Sequence, residues 1–434
     1  MRDEQSGGGR LQLAQRLHLE GRAAEAEHAY RELLDDGMAG TAARHWLGFL
    51  LQQQDRLEEA QLLLASAIAQ DASHPEWHFN LGMAHARLGQ AAAAISAMQT
   101  AAELDPGQYF YWTNLGAQLA QDGQAVRAEA AYRQAAALNP ACADAFYLLA
   151  TLLLGQQRYP EARQCNAQGV LTEPAGRMSL IAVGQALCDL GRHGEAQALA
   201  QSWLEREPSN PVAAHLLIAF GKGEAPTVCS RDYVAYTFDA AAPAFDLALQ
   251  RLRYRGPQLV ADWLMAEGCQ PASLEALDLG CGTGLVGSVL APYARTLTGV
   301  DLSEGMLRQA DGKRLYQQLH HADICDFLAS GAASYQLICC MDTLIYLGDM
   351  RRFFALAAAR LGPDGALLFS TERLDEGSGY LLGRSGRYRH HPDYIRAELW
   401  AAGLRIRQFA EVKIREEAGC PIAGHFVCAA HAER

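Results

Sequence analysis

Four prolines, Pro106, Pro140, Pro174 and Pro208, follow one another at intervals of 34 residues. A fixed long period of this kind belongs to a stack of like supersecondary units, each repeating the same turn and the same packing positions. Other residues keep the phase. Leu81-Gly82, Leu115-Gly116 and Val183-Gly184 fall in a first helix, Gly89, Gly123 and Gly191 at a turn, and Ala94, Ala128, Ala162 and Ala196 in a second helix. Small residues there let two helices approach closely. From Leu11 to Gly221 the pattern is helical throughout and rich in Ala and Leu,. The phase predicts units beginning near Gly7, Thr41, Pro75, Tyr109, Ala143 and Arg177, the first two degenerate, with a capping helix over 210–220.

A helix–turn–helix unit of this length is a tetratricopeptide repeat, and Trp112 and Tyr132 suit the large positions of that motif,. Such stacks expose a concave groove lined by the first helix of each unit. Here the groove would carry Phe79, Met83, Phe110, Thr113, Asp144, Tyr147, Thr151, Met178 and Gln185. It is apolar and aromatic, without a Lys/Arg cluster to clamp a peptide carboxylate. Two readings stand: a groove for an extended apolar segment of a peptide or protein partner, or Tyr109, Phe110 and Tyr111 used for packing between repeats.

The helical pattern breaks at Gly221-Lys-Gly-Glu-Ala-Pro-Thr227,. This predicts a repeat domain over 1–222, a linker over 223–231 and a second domain over 232–434. In the second half, apolar strands alternate with helices at 274–279, 296–300, 317–321, 335–341 and 366–371, which implies a parallel, doubly wound α/β sheet. Ligands in such sheets lie beyond the carboxyl ends of the strands.

The first of these strands runs into Asp278 and then Gly280, Gly282 and Gly284. Glycines can take positive φ and bare their backbone amides, so the turn reads as a nucleotide-type cradle at a helix N-terminus. The spacing spells two motifs at once: Gly280-x-Gly282-x-Gly284, and Gly282-x-Gly284-x-x-Gly287, the dinucleotide fingerprint,. The surrounding acids choose between them. Asp278 would repel a pyrophosphate but attract the ammonium of S-adenosylmethionine (SAM). Asp301, ending a second strand, is placed to accept two ribose hydroxyls, at roughly 1.5–3 kcal/mol for each bond to the charged carboxylate. Asp323, after a third apolar stretch, is placed for the adenine amino group.

The segments Ala276-Leu-Asp-Leu-Gly-Cys-Gly-Thr-Gly-Leu-Val-Gly287 and Leu297-Thr-Gly-Val-Asp-Leu-Ser-Glu-Gly-Met-Leu307 resemble motif I and the following acidic loop of class I SAM-dependent methyltransferases. The whole chain is similar to bacterial predicted methyltransferases that carry tetratricopeptide repeats. The resemblance implies a Rossmann-like fold ending in an antiparallel hairpin, here 404–414 with 424–429, and SAM as cofactor. It makes Tyr254 and Arg255 candidates for the methionine end of the cofactor, Arg255 by pairing with the carboxylate. Leu302, Met306, Ile324 and Met341 stand beside the motif positions and complete the cofactor set.

For the chemistry, Met341-Asp-Thr-Leu-Ile-Tyr346 falls at the sheet edge facing the methyl group, with Asp342 and Tyr346 as catalytic candidates. The absence of Asn-Pro-Pro-Tyr or Asp-Pro-Pro-Tyr there disfavours methylation of nucleic-acid exocyclic amines. The loop Gly377-Ser-Gly-Tyr-Leu-Leu-Gly-Arg-Ser-Gly-Arg-Tyr-Arg-His-His391 is basic and aromatic, and the family carries a similar pattern. It supplies Tyr380, Arg387 and Tyr388 as substrate-binding candidates and His390 as a catalytic one; the competing reading is a solvated lid. Methyl transfer from a sulfonium requires no metal, and none is expected.

A formal charge of −12 argues against nucleic acid or an anionic membrane as partner,. Eleven cysteines without C-x-x-C spacing suit a reduced, cytoplasmic setting,. Met1 to Gly9 is polar and Gly-rich, so no signal peptide or anchor is expected,. Basic residues are nearly all arginine, with Lys222, Lys313 and Lys413 the three lysines, as in a GC-rich bacterial genome. The expected function is methyl transfer to a peptide or protein recruited by the repeats. Its rivals are a small-molecule methyltransferase whose repeats oligomerise, a scaffold that has kept the fold without turnover, and a reductase using NAD.

Overall fold

A computed structural model describes residues 7–37 and 40–432. The chain forms two compact units, 1–175 and 176–434. The predicted linker at 223–231 therefore lies within the second unit, and the helices at 180–219 belong to the same unit as the sheet.

In the first unit, five helical pairs occupy 7–172, their first helices starting at Gly7, Gly40, Pro75, Tyr109 and Ala143. The phased glycines of the first helices are sites of contact, whereas Gly89 and Gly123 at the turns take positive φ in open space. A Cβ on Gly82 would stand 2.7 Å from Met98, and one on Gly116 2.7 Å from the Tyr132 ring. The phased Ala94, Ala128 and Ala162 are buried. The two readings of the aromatic groove divide by residue: Tyr111 is buried, whereas Phe110 is 37% exposed and meets Phe79 edge-on at 5.4 Å. Tyr147 covers Gly169, where a Cβ would stand 2.5 Å from its ring.

The second unit opens with helices Leu180–Asp189, His193–Arg206 and Pro211–Ala219, then Arg231–Ala241, Phe245–Arg251 and Gly256–Ala266. A nine-stranded sheet follows: β1 (Leu274–Leu279), β2 (Ala294–Asp301), β3 (Gln318–His321), β4 (Tyr335–Cys340), β5 (Leu361–Arg373), β6 (Tyr380–Leu382), β7 (Tyr388–His390), β8 (Leu404–Glu417) and β9 (Cys420–His431). The order is β3-β2-β1-β4-β5-β7-β6, with β9 antiparallel to β5 and β8 outside β9. The first five strands pair in parallel. β4 and the middle of β5 are apolar because both faces are covered there, whereas the edge strand β3 is polar and partly exposed. Leu277, Ile338 and Cys340 enter one core with Phe353 and Phe354, while Ala276, Leu337 and Cys339 enter the other with Val260 and Leu264.

The basic loop 377–391 is part of the sheet. It carries β6 and β7 as a hairpin, and β7 extends the sheet from Glu372 and Arg373 of β5. Among the described residues no helix is long and apolar enough to cross a membrane.

Candidate active site

β1 ends at Leu279 and the chain turns through Gly280, Gly282 and Gly284 at φ of 69°, 54° and 86°, a region that disfavours any residue with a Cβ,. The glycines have separate tasks. A Cβ on Gly280 would fall 2.1 Å from Thr343 Oγ1, and one on Gly287 2.1 Å from the Tyr316 hydroxyl. Only Gly282 of these has room for a Cβ, which would meet Phe245 at 3.9 Å. The amides of the turn are already engaged: Gly280 and Cys281 donate to the Val300 carbonyl (2.8 and 3.0 Å), Gly284 to the Cys281 carbonyl (2.9 Å) and Gly282 to Asp301 Oδ2 (2.8 Å). The helix that follows, Gly287–Leu290, is a single turn. The expected cradle of free amides at a helix N-terminus is thus replaced by a closed turn tied to a carboxylate.

Asp301, at the end of β2, also accepts the Ser303 amide at 2.8 Å. Burial pushes its carboxyl upward and the accepted amides pull it back, with the net shift upward. Asp323 caps helix Ile324–Ser330, accepting the Cys325 and Asp326 amides at 2.9 and 3.1 Å, and its other oxygen lies 3.7 Å from Arg231. Both acids line a cavity of about 380 Å³, together with Gly280, Gly282, Leu302, Met306, Ile324, Met341 and Tyr254. Ligand sites run from about 300 to 1,000 Å³.

Three cofactor candidates are placed elsewhere, and the first, Gly284, faces Tyr316 outside the cavity lining. Asp278 is buried beneath the turn and accepts the Tyr316 hydroxyl at 2.7 Å. It is not among the cavity-lining residues. Burial raises its carboxyl to about 7, against the lowering effect of the Tyr316 bond. Sheet alternation turns it into the same face as Ala276, away from the strand end. Arg255 precedes helix Gly256–Ala266 and donates its backbone amide to Ile414 at 2.9 Å, outside the cavity lining.

The cavity is roofed by helices Arg231–Ala241 and Phe245–Arg251, through Val234, Thr237, Phe238 and Phe245. Thr237 Oγ1 is buried and has no hydrogen-bond partner among the described residues, so the roof holds one polar atom still to be satisfied,. At the opposite end lie Asp342, Tyr346, Arg387, Arg415 and Glu417. Asp342 takes φ of 54° just after β4, and its two oxygens accept Arg415 Nη1 at 2.7 and 3.0 Å. Arg415 also pairs with Glu372 and with Glu417, the latter at 3.0 Å. Arg387 pairs with Glu372 at 2.7 Å and with Glu417. Burial raises the Asp342 carboxyl despite Arg415, and it raises the Tyr346 hydroxyl, which stays protonated at neutral pH.

The other acceptor-pocket candidates back this end without entering it. Tyr388 is fully buried and donates its hydroxyl to the Pro226 carbonyl. His390 is fully buried, with Nε2 2.8 Å from the Leu347 carbonyl, and burial lowers it to about 4, so it is neutral. Tyr380 packs against Tyr388 and Tyr394. None of the three lines the cavity. The sequence does not mark Arg415, Glu372 or Glu417, because a charged residue inside a hairpin or near the end of a strand reads as solvent-facing until its strand partners are known.

Residues 249–410 match the family described as Methyltransferase domain, and 47–109 and 119–182 match two families described as Tetratricopeptide repeat. The ubiquinone biosynthesis O-methyltransferase of Coxiella burnetii is 37% identical over 98 residues, 22% of this chain and 42% of that protein. Human methyltransferase-like protein 27 is 46% identical over 84 residues, 19% of this chain and 34% of that protein. The chain thus spans about two fifths of the length of the first of these relatives and about a third of the second. Among solved structures, magnesium protoporphyrin IX methyltransferase from Synechocystis with bound SAM superposes at a TM-score of 0.32 and 20% identity, covering 50% of this chain and 90% of that one. YrrB, a tetratricopeptide-repeat protein with an unusual peptide-binding site, superposes at 0.37 and 18% identity, covering 40% and 90%.

Proposed function

For a chain that carries tetratricopeptide repeats followed by a methyltransferase domain, we propose that the cavity binds S-adenosylmethionine and that the methyl group passes to a peptide or protein recruited by the repeats. The observation that carries the cofactor is the closed turn. Its Gly280, Cys281, Gly282 and Gly284 amides are spent within the fold, while Asp301 and Asp323 face the cavity. A pyrophosphate would meet carboxylate where it needs donors; an adenosyl group with a cationic sulfur meets acceptors.

When bound, SAM supplies an electrophilic methyl group: the acceptor's lone pair forms the new bond as the carbon–sulfur bond breaks, and that electron pair returns to sulfur. Asp301 accepts ribose hydroxyls and Asp323 the adenine amino group, at roughly 1.5–3 kcal/mol for each bond to a charged carboxylate. Thr237 Oγ1 offers a further hydrogen bond from the roof. The roof helices exclude water and hold donor and acceptor in line, a contribution of roughly 7–11 kcal/mol to lowering the barrier. Tyr346 acts as a hydrogen-bond donor, since burial keeps its proton in place. Asp342, clasped by Arg415, fixes the floor.

A second reading, a small-molecule acceptor, is favoured by the apolar wall of Val228, Val234, Leu249, Ile345 and Leu347 and by the relatives named as ubiquinone biosynthesis O-methyltransferases. Calorimetry with S-adenosylhomocysteine tests the cofactor: micromolar binding is expected in the native protein and its loss in Asp301→Ala, and native protein that binds nothing rejects the proposal. Incubation with methyl-labelled SAM and cell extract then separates the acceptors. Label in polypeptide favours the first reading, and label in the low-molecular-weight fraction the second.

A further inference from the structure

Behind the cavity wall, three segments distant in sequence meet at one side chain. His215, 5% exposed, projects from helix Pro211–Ala219. Its ring stacks on Tyr233 of the roof helix with centroids 3.8 Å apart and planes 20° from parallel. Its Nε2 lies 2.9 Å from the Gly386 carbonyl, the residue before the cavity-lining Arg387. The same nitrogen lies 3.8 Å from the Cys229 sulfur. Cys229 lines the cavity and donates its backbone amide to Tyr346 at 2.9 Å.

The junction leaves no slack. Gly386 adopts φ of 81°, and a Cβ there would stand 2.8 Å from the Tyr233 hydroxyl and 3.4 Å from the His215 ring. A second tie lies beside it: Arg384 donates to the Cys188 carbonyl at 2.8 Å and approaches His193 at 3.1 Å, both on the preceding helical pair. Burial lowers His215, so it is neutral at pH 7 and can donate to Gly386 through Nε2–H,.

We propose that His215 is a positioning residue for the cofactor site: from the last helix before the linker it holds the roof helix Arg231–Ala241 and the turn that carries Arg387 against the cavity. The helices at 180–219 are then part of the catalytic apparatus, although their sequence belongs to the repeat pattern. A roof helix fixed from behind need not be ordered by the ligand, and affinity rises by the ordering cost avoided. Losing both the stack and the hydrogen bond should loosen that helix and weaken the ligand about tenfold.

The inference rests on the cofactor reading, and the test keeps the two apart. In the full chain, hydrogen exchange is followed over 231–241 and over β1, and S-adenosylhomocysteine binding is measured by calorimetry, for native protein, His215→Ala and His215→Gln. Faster exchange over 231–241 with β1 unchanged, and affinity lost in His215→Ala but largely restored in His215→Gln, which keeps an amide donor for Gly386, is the expected result. Unchanged exchange and affinity in His215→Ala overturn it. If His215→Ala does not fold, His215→Phe, which retains the stack without the donor, carries the same comparison, and native-like exchange and binding in it overturn the inference. If native protein binds no S-adenosylhomocysteine, the cofactor reading fails, while ligand-free exchange still decides whether His215 holds the roof.

Discussion

Replacing Asp278 by Asn should remove a pH-dependent weakness from the second unit. The wild-type carboxyl is 1% exposed and titrates near 7, against about 3.9 in an unfolded chain,. Between those values the folded state holds a proton that the unfolded state releases, so this group lowers stability as pH rises through the window and adds nothing further above the folded value. At about 1.36 kcal/mol per unit, the three units amount to roughly 4 kcal/mol at neutral pH relative to the protonated form. Asn mimics that form, with one donor and one acceptor to offer Tyr316, and does not titrate. The advantage of Asp278→Asn over wild type should therefore grow by about 3 kcal/mol between pH 5 and pH 8. Urea unfolding read by hydrogen exchange on β1 peptides measures it locally, which a chain of two units requires,. A difference that stays constant between the two pH values, or shrinks as pH rises, refutes the reasoning.

Arg415→Met should lower the stability of the second unit by about 3 kcal/mol at pH 7, because it leaves the half-buried Asp342 carboxylate without its cation and the buried Glu372 with Arg387 alone,. The loss should diminish towards pH 5 as the Asp342 carboxyl takes up a proton, and hydrogen exchange on β5 and β9 at the two pH values checks it. Gly280→Ala and Gly282→Ala should separate folding from binding. The first meets Thr343 at 2.1 Å and should unfold the turn, whereas the second has room for a Cβ at φ of 54° and should cost about 1–2 kcal/mol in the fold,. Thermal melting and S-adenosylhomocysteine calorimetry together check this, with Gly282→Ala expected to stay folded and lose binding.

Much of this protein was legible in one dimension. The 34-residue phase marks helix starts because each repeat meets its neighbours through the same few small residues, so Gly82 and Gly116 carry tertiary information in their spacing. The central parallel strands show as apolar runs because both faces are buried, and Asp301 and Asp323 line the cavity because acids just past the strand ends face the side of such a sheet where ligands lie,. Asp278 stands inside the strand, where alternation, not position at the end, decides which way a side chain turns, and it is buried outside the cavity lining. The roles of Arg415, Glu372, Glu417 and His215 belong to three dimensions alone. Each depends on a partner between 15 and 171 residues away, brought near by hairpin pairing or by the docking of helix Pro211–Ala219. Local periodicity records which face of an element is buried, and that is a property of the segment. It holds no record of which distant charge or ring will be found on the other side, since that is settled when the sheet closes and the last helices pack behind the roof.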